Sequence, residues 1–311
     1  MARLAVCLMG PTASGKTDVA VSLCKRFPFE IICVDSALVY RGMDIGTARP
    51  DAETLRRAPH RLIDIRDPEE SYSAGDFVRD ARIEMNQIAA AGRIPLLVGG
   101  TMMYFRALIG GIAELPAADD SIRAQIDAQA DELGWPAMHA KLREVDSSAA
   151  ARINCNDSQR IQRALEVFYV SGKPLTAWHD EARRDPVNDN WSYAKIALQL
   201  RSREILHERI ESRLDNMINN GFLDEIRTLQ RRSGLTCQRP SMRAVGYRQF
   251  WQHVAGECSL DAARAKALAA TRQLAKRQLT WLRSEPELNS FDPLEGRAID
   301  AISARLVKLL S

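Results

Sequence analysis

The chain has 311 residues, enough for one large α/β domain or for a core domain with a smaller partner. At 46% hydrophobic and 27% charged residues its composition is that of an ordinary globular protein, and a net charge of +3 permits a nucleic-acid partner without demanding one. Six cysteines without a C-x-x-C pair argue against a zinc site or a disulfide framework. No apolar stretch approaches the roughly 20 residues of a membrane span, and no signal segment precedes Leu4, so the expectation is a cytoplasmic protein without a membrane contact.

Leu4–Met9 is a continuous apolar run closed by glycines, the pattern of a central parallel strand. A helix pattern follows from about Gly15 to Phe27. Ile31–Val34 is a second buried run and ends on Asp35; Arg61–Ile65 is a candidate third. Residues 75–91 have helical periodicity, and Ile94–Val98 is another buried strand, followed by Gly99-Gly100-Thr101 and a helix from about 102 to 109. Strands alternating with helices at this spacing predict βαβ units and a parallel sheet, with the chemistry at the carboxyl ends of the strands. From Ser121 to about Ser171 the pattern is helical, broken at Gly134–Pro136 and at Asn154–Asp157, and Gly172-Lys173-Pro174 stops the last helix. Tyr193–Leu200 reads as a strand returning to the sheet. Helices over 202–219, 222–232, 241–255 and 259–284 follow, then a loop and a short helix. The predicted fold class is α/β: a P-loop-containing parallel sheet core flanked by helices, with an all-helical insertion domain. Residues 1–115 form the first part of the core, 116–192 the insertion, and 193–311 the returning strand and C-terminal helices.

Gly10-Pro11-Thr12-Ala13-Ser14-Gly15-Lys16-Thr17 completes the motif G-x-x-x-x-G-K-[ST] between a strand and a helix. Its backbone N–H groups suit phosphate oxygens, Lys16 adds charge, and Thr17 offers a hydroxyl to Mg²⁺. Asp35, at the next strand end, has two chemical uses: holding Mg²⁺ or taking a proton from a nucleophile. Asp35-Ser36 is also a good capping pair. The later strand ends in Gly99-Gly100-Thr101 rather than the acid usual in NTP-hydrolysing P-loop proteins. Glycines let a backbone approach a ligand closely, and Thr101 can donate to a leaving-group oxygen or cap a helix. Arg209 and Arg213, at i and i+4, can reach a P-loop ligand or form a plain surface pair. Arg160 and Arg163 on one helix, Arg243 and Arg248 around an aromatic, and six basic residues between 264 and 283 suit RNA, although each stretch alone also fits a solvated helix face.

Taken in order, several stretches resemble the bacterial tRNA dimethylallyltransferases, the tRNA isopentenyltransferase family, over residues 4 to about 284. They are the P-loop; Asp35-Ser36 with Val39–Thr47; Gly99-Gly100-Thr101 with Tyr104–Leu108; Asn156-Asp157 with Gln159–Val167; Ser241–Arg248; and Thr271–Trp281. The resemblance implies transfer of a dimethylallyl group from dimethylallyl diphosphate to N6 of the adenosine 3′ of the anticodon, in tRNAs reading codons that begin with U. Diphosphate is released and no ATP is used. It further implies that Gly10–Thr17 hold the diphosphate with Arg213, that Lys16, Asp35 and Thr101 are catalytic with Asp35 as general base, and that Thr17 lies near a Mg²⁺ cofactor. Asp35, Ser36, Ala37, Leu38, Thr101, Arg123, Gln159, Arg160, Ile161, Gln162, Arg163, Arg243, Ala244, Val245, Gly246, Tyr247 and Arg248 match tRNA-contact positions. The expected partner is the anticodon stem-loop, gripped by the insertion, and a monomer suffices. The absence of a Cys/His module after residue 284 matches the compact bacterial form. A small-molecule or nucleoside kinase shares the P-loop and aspartate, and a prenyltransferase acting on free adenine nucleotides shares the chemistry. The Gly99-Gly100-Thr101 strand end and the arginine-rich helices argue against the first, and the second does not need an insertion of this size.

Overall fold

The structure is a computed structural model that describes residues 3–113, 115–184 and 190–310; Met1 and Ala2 lie outside it. Six strands form one sheet: β1 (Arg3–Met9), β2 (Phe29–Val34), β3 (His60–Arg61), β4 (Ile94–Gly99), β5 (Trp191–Leu198) and β6 (Asn289–Phe291). Every pairing is parallel, in the order β3-β2-β4-β1-β5-β6. Val6, Leu8, Ile31, Leu96 and Ile196 are wholly buried, which is why these strands read as unbroken apolar runs rather than alternating ones.

The register places the functional loops level with one another. Gly99 is the partner of both Met9 on β1 and Val34 on β2. The chain therefore leaves all three strands at one edge, directly into Gly10, Asp35 and Gly100. A Cβ on Gly99 would stand 2.0 Å from the carbonyl oxygen of Val34, so β2 and β4 close to this distance only because position 99 has no side chain.

The helices are α1 (Lys16–Cys24), α2 (Ala52–Arg57), α3 (Ala74–Ala90), α4 (Met102–Gly110), α5 (Asp120–Leu133), α6 (Trp135–Val145), α7 (Ser147–Arg152), α8 (Ser158–Ser171), α9 (Leu175–Arg184), α10 (Arg203–Asn219), α11 (Phe222–Gln230), α12 (Tyr247–Val254), α13 (Leu260–Arg283) and α14 (Ala298–Leu310). The chain divides into two compact units. One holds the residues through Ile109 and again from Asn190; the other begins at Gly110 and contains α5–α9. In the first unit Ile302 and Leu306 of α14 join the core formed by Val19, Leu23, Phe29 and the strands.

The second unit has its own core of Ile126, Met138, Leu142, Ile161 and Leu165. Its helix ends follow from local chemistry. Gly134, at φ 81°, separates α5 from α6, whose second residue is Pro136. The Asp146 and Asp157 carboxylates accept the N–H groups of Ala149 and Arg160 to cap α7 and α8. Gly172, at φ 70°, ends α8 in a left-handed cap.

Four elements differ from the sequence reading. The third strand is only two residues long, because Leu62 and Asp64 adopt positive φ (62° and 54°) and leave the extended region. Asp64 instead accepts two hydrogen bonds from Arg49, at 2.8 and 2.5 Å. The helix expected over 241–255 is interrupted: a 3₁₀ turn at Ser241–Arg243 precedes Gly246, at φ 94°, and α12 starts after it. The strand β6 and the six-residue helix α2 were too short to show a period. Among the described residues no helix is long and apolar enough to cross a membrane.

Candidate active site

The loop after β1 is shaped by three residues. Ala13 and Gly15 take left-handed conformations (φ 63° and 85°), turning the chain back so that Lys16 opens α1. A Cβ on Gly10 would meet Ser14 Oγ at 2.7 Å and the Leu198 carbonyl oxygen at 2.9 Å, so the loop closes this tightly only around a glycine. Gly15 gives α1 no side-chain cap, which leaves the first N–H groups of the helix for an anion. Lys16 Nζ donates to the carbonyls of Gly10 (3.0 Å) and Pro11 (2.7 Å), and Ser14 is buried beneath it. Burial, reinforced by the charge of Arg213 and opposed by Asp35, lowers the Lys16 ammonium to a pKa of about 8.

Asp35 follows β2. Its Oδ1 accepts the N–H groups of Ala37 (2.8 Å) and Leu38 (3.3 Å), an Asx turn that fixes the carboxylate and leaves Oδ2 without a protein hydrogen bond among the described residues. The Ser36 N–H donates to Thr101 Oγ1 at 3.1 Å, tying this turn to the end of β4. Gln278 of α13 completes the base: its Oε1 accepts the Thr12 N–H at 2.9 Å, and its Nε2 donates to the Gly100 carbonyl at 2.8 Å.

Two arginines of α10 face the loop. Arg209 Nε donates to the Ala13 carbonyl at 2.9 Å, and Arg213 Nη2 donates to the Thr47 carbonyl at 3.0 Å. Burial lowers the pKa of Arg213, against the opposing pull of Asp35. The segment carrying Thr47 is held by Glu225, whose carboxylate accepts the N–H groups of Asp44 (2.9 Å), Ile45 (2.7 Å) and Gly46 (3.1 Å). Together these elements enclose a cavity of about 700 Å³. Lys16, Thr17, Asp35, Arg209 and Arg213 line its polar part, and Leu38, Pro50, Val98 and Leu274 its apolar part. Lys16, Arg209 and Arg213, beside the uncapped start of α1, make the loop side of the cavity a site for a polyanion, while Asp18, Asp35 and Glu208 also line it. Among the described residues no group of three or more His, Cys, Asp and Glu side chains converges as a metal cage. The Thr17 hydroxyl in this cavity is a hard oxygen donor, and it fits a divalent cation that takes its remaining ligands from phosphate and water.

The structure brings Gly10–Thr17, Asp35, Leu38, Thr101 and Arg213 to one strand edge. Ser36, Arg243 and Arg248 are exposed, Ala244 and Val245 half-buried; in the second unit Gln159 and Arg160 are exposed. Three of the expected tRNA-contact residues are buried and need correction. Ile161 and Tyr247 have no exposed surface, so neither side chain meets a ligand: Ile161 belongs to the second unit's core, and the Tyr247 hydroxyl donates to Glu225. Gly246 is buried as well. Arg123 and Arg163 are committed to Glu166, a fully buried carboxylate that also accepts the Asp119 N–H at 2.8 Å. Burial alone would raise the Glu166 pKa, but the hydrogen bonds from Arg163, Asp119 and Arg123 outweigh it and hold the pKa below the ordinary value. Gln162 donates to Asp127 at 2.5 Å. Gln278 and Glu225 escaped the sequence reading. Their partners lie 178 or more residues away, and no local pattern marks a buried glutamine.

A parallel sheet with this loop at an inner strand, and with Gly99-Gly100 rather than an acid at the end of β4, defines a P-loop phosphate-binding protein outside the NTP-hydrolysing kind. The family model described as IPP transferase matches residues 38–285. The tRNA dimethylallyltransferase of Thiobacillus denitrificans is 54% identical over 306 residues, 97% of each chain, and that of Thioalkalivibrio sulfidiphilus is 56% identical over 294 residues, 93% of this chain and 91% of that one. The crystal structure of the full-length tRNA isopentenylpyrophosphate transferase from Bacillus halodurans superposes with a TM-score of 0.71 at 36% identity, covering 99% of this chain and 96% of that one. A eukaryotic dimethylallyltransferase acting on tRNA shares the fold, with a TM-score of 0.76 at 22% identity over 98% of this chain and 78% of that one. The chain belongs to the IPP transferase family.

Proposed function

We propose that this protein is a tRNA dimethylallyltransferase, which moves the dimethylallyl group of dimethylallyl diphosphate onto N6 of the adenosine 3′ of the anticodon in tRNAs that read codons beginning with U. The observation that carries this reading is the single cavity where Lys16, Arg209 and Arg213 surround the P-loop and Asp35 stands opposite them. Gly10–Thr17 and Arg213 bind the diphosphate, and Lys16 and the arginines stabilise the charge that grows on it as the allylic C–O bond breaks. Asp35 Oδ2 takes the proton of N6, a weak nucleophile, as the N–C bond forms. Thr101 holds the Asp35 turn and contributes a hydroxyl beside the leaving oxygen. Thr17 would hold a Mg²⁺, which when bound would further neutralise the leaving group. The acceptor base leaves its stack to enter the cavity. Exposed Ser36, Arg243, Arg248, Gln159 and Arg160 contact tRNA, with the anticodon stem-loop as the element gripped by the helical unit. The protein acts in the cytoplasm, and a monomer suffices.

Incubation with Mg²⁺, labelled dimethylallyl diphosphate and tRNA, with AMP and ATP as competing acceptors, tests this reading. Label on the tRNA is expected. Label on the free nucleotides alone would overturn the tRNA acceptor, and ATP-dependent phosphorylation of a small molecule would overturn prenyl transfer altogether.

A further inference from the structure

Gln278 lies on α13, 266 residues from Thr12 and 178 from Gly100 in the sequence, yet it hydrogen-bonds both. Only 8% of its surface is exposed. One partner is an N–H donor and the other a carbonyl acceptor. A primary amide presents one acceptor and one donor group, whereas a carboxylate would lack the donor and a lysine the acceptor. The fit is tight on the far side as well: a Cβ on Gly100 would stand 2.5 Å from Gln278 Nε2. The residue after Gly100 is Thr101, whose hydroxyl accepts the Ser36 N–H beside Asp35.

We propose that Gln278 is a positioning residue: a brace that locks the phosphate loop at Thr12 to the strand end at Gly100, and so fixes the separation between the diphosphate and the acceptor side at Thr101 and Asp35. Its effect on transfer rests on the prenyl-transfer reading above; its effect on the phosphate loop does not. By tying down Thr12, the brace removes conformations of the loop that would otherwise have to be ordered on binding.

The test compares Gln278→Met, Gly100→Ala and the double variant. Affinity for inorganic diphosphate is read by calorimetry in Mg²⁺ buffer, and kcat and KM for dimethylallyl diphosphate are read with tRNA in excess. Each single variant is expected to bind diphosphate about tenfold more weakly and to lose kcat as well, as removal of a paired polar brace entails. The double variant is expected to be no worse than the weaker single, because both changes break the same contact. Thermal unfolding shows which variants are folded. Should Gln278→Met not fold, Gly100→Ala tests the brace from the other side, where the flexible end of the glutamine must move away from a Cβ at 2.5 Å and the Gly10 carbonyl oxygen, at 3.2 Å, need give only slightly. Unchanged diphosphate affinity in the folded variants, additive losses in the double, or no diphosphate binding by the wild type overturns the proposal. A wild type that binds diphosphate without transferring the prenyl group would sink the prenyl-transfer reading alone, and the affinities would still judge the brace.

Discussion

The Tyr247 hydroxyl donates to Glu225 Oε1 at 2.5 Å, and the same carboxylate accepts three consecutive backbone N–H groups from Asp44 to Gly46. Burial and the neighbouring Glu225 push the Tyr247 pKa far up, so it stays a donor. This clamp holds the segment whose Thr47 carbonyl receives Arg213. Gly46 is pressed against it: a Cβ there would stand 2.2 Å from the Phe222 ring and 2.6 Å from the Tyr247 ring. Glu225→Ala strands the part-buried Ile45, Gly46 and Tyr247 donors, while the exposed Asp44 N–H can turn to water, and should lower stability by about 1–3 kcal/mol. Gly46→Ala should cost about 1–3 kcal/mol by overpacking. Denaturant unfolding reads both losses, and Glu225→Ala should also raise KM for dimethylallyl diphosphate through Arg213.

Asp35→Asn keeps an oxygen for the Ala37 and Leu38 N–H groups but loses the base. Transfer should slow by about 10²- to 10⁴-fold, the usual worth of a general base. Diphosphate affinity should stay close to that of the wild type. Single-turnover transfer and calorimetry separate the two, and near-normal turnover would remove Asp35 from the role.

The Lys16 pKa of about 8, brought down mainly by burial, predicts the pH dependence of diphosphate binding. Below pH 8 the ammonium is charged and binding is strong; as pH rises through 8 the free protein loses that charge and affinity falls. Above this point the complex takes up a proton on forming, because the anion favours the charged lysine. Calorimetry in buffers of different ionisation enthalpy detects the uptake. Lys16→Arg, charged throughout, should abolish it even if its affinity is lower.

Arg243 and Arg248 are exposed and have no ion-pair partner among the described residues. Replacing either with alanine should weaken tRNA binding, raise KM for tRNA and reduce the salt dependence of binding by roughly one unit of log–log slope per lost phosphate contact. Diphosphate affinity should not change, because neither residue lines the cavity.

Glu166 is fully buried between Arg123 and Arg163. Glu166→Ala removes the carboxylate that pairs two partly exposed guanidinium groups and accepts the Asp119 N–H, and should destabilise the helical unit by about 1–3 kcal/mol. The phosphate cavity is built wholly from the other unit, so diphosphate binding by the folded fraction should be retained. Limited proteolysis between Gly110 and Arg184, set beside calorimetry, distinguishes the two effects.

The parts of the site that were legible in the sequence are those encoded by neighbours along the chain. Glycine spacing sets the shape of the loop from Gly10 to Thr17, because left-handed backbone and close approach are local demands. Unbroken apolar runs mark parallel strands buried on both faces, and their ends point to Asp35 and Thr101. Tertiary structure decided the rest. It spent Arg123 and Arg163 on a buried carboxylate, sealed Ile161 and Tyr247 inside their cores, and brought Gln278 and Glu225 across the chain to the loops they hold. An arginine reads the same whether it faces solvent or a buried acid, and a glutamine's role depends on which donor and acceptor packing sets beside it. The sequence determined the chemical groups and the edge where they gather; packing of distant segments determined which of them are free to meet a ligand and which hold the others in place.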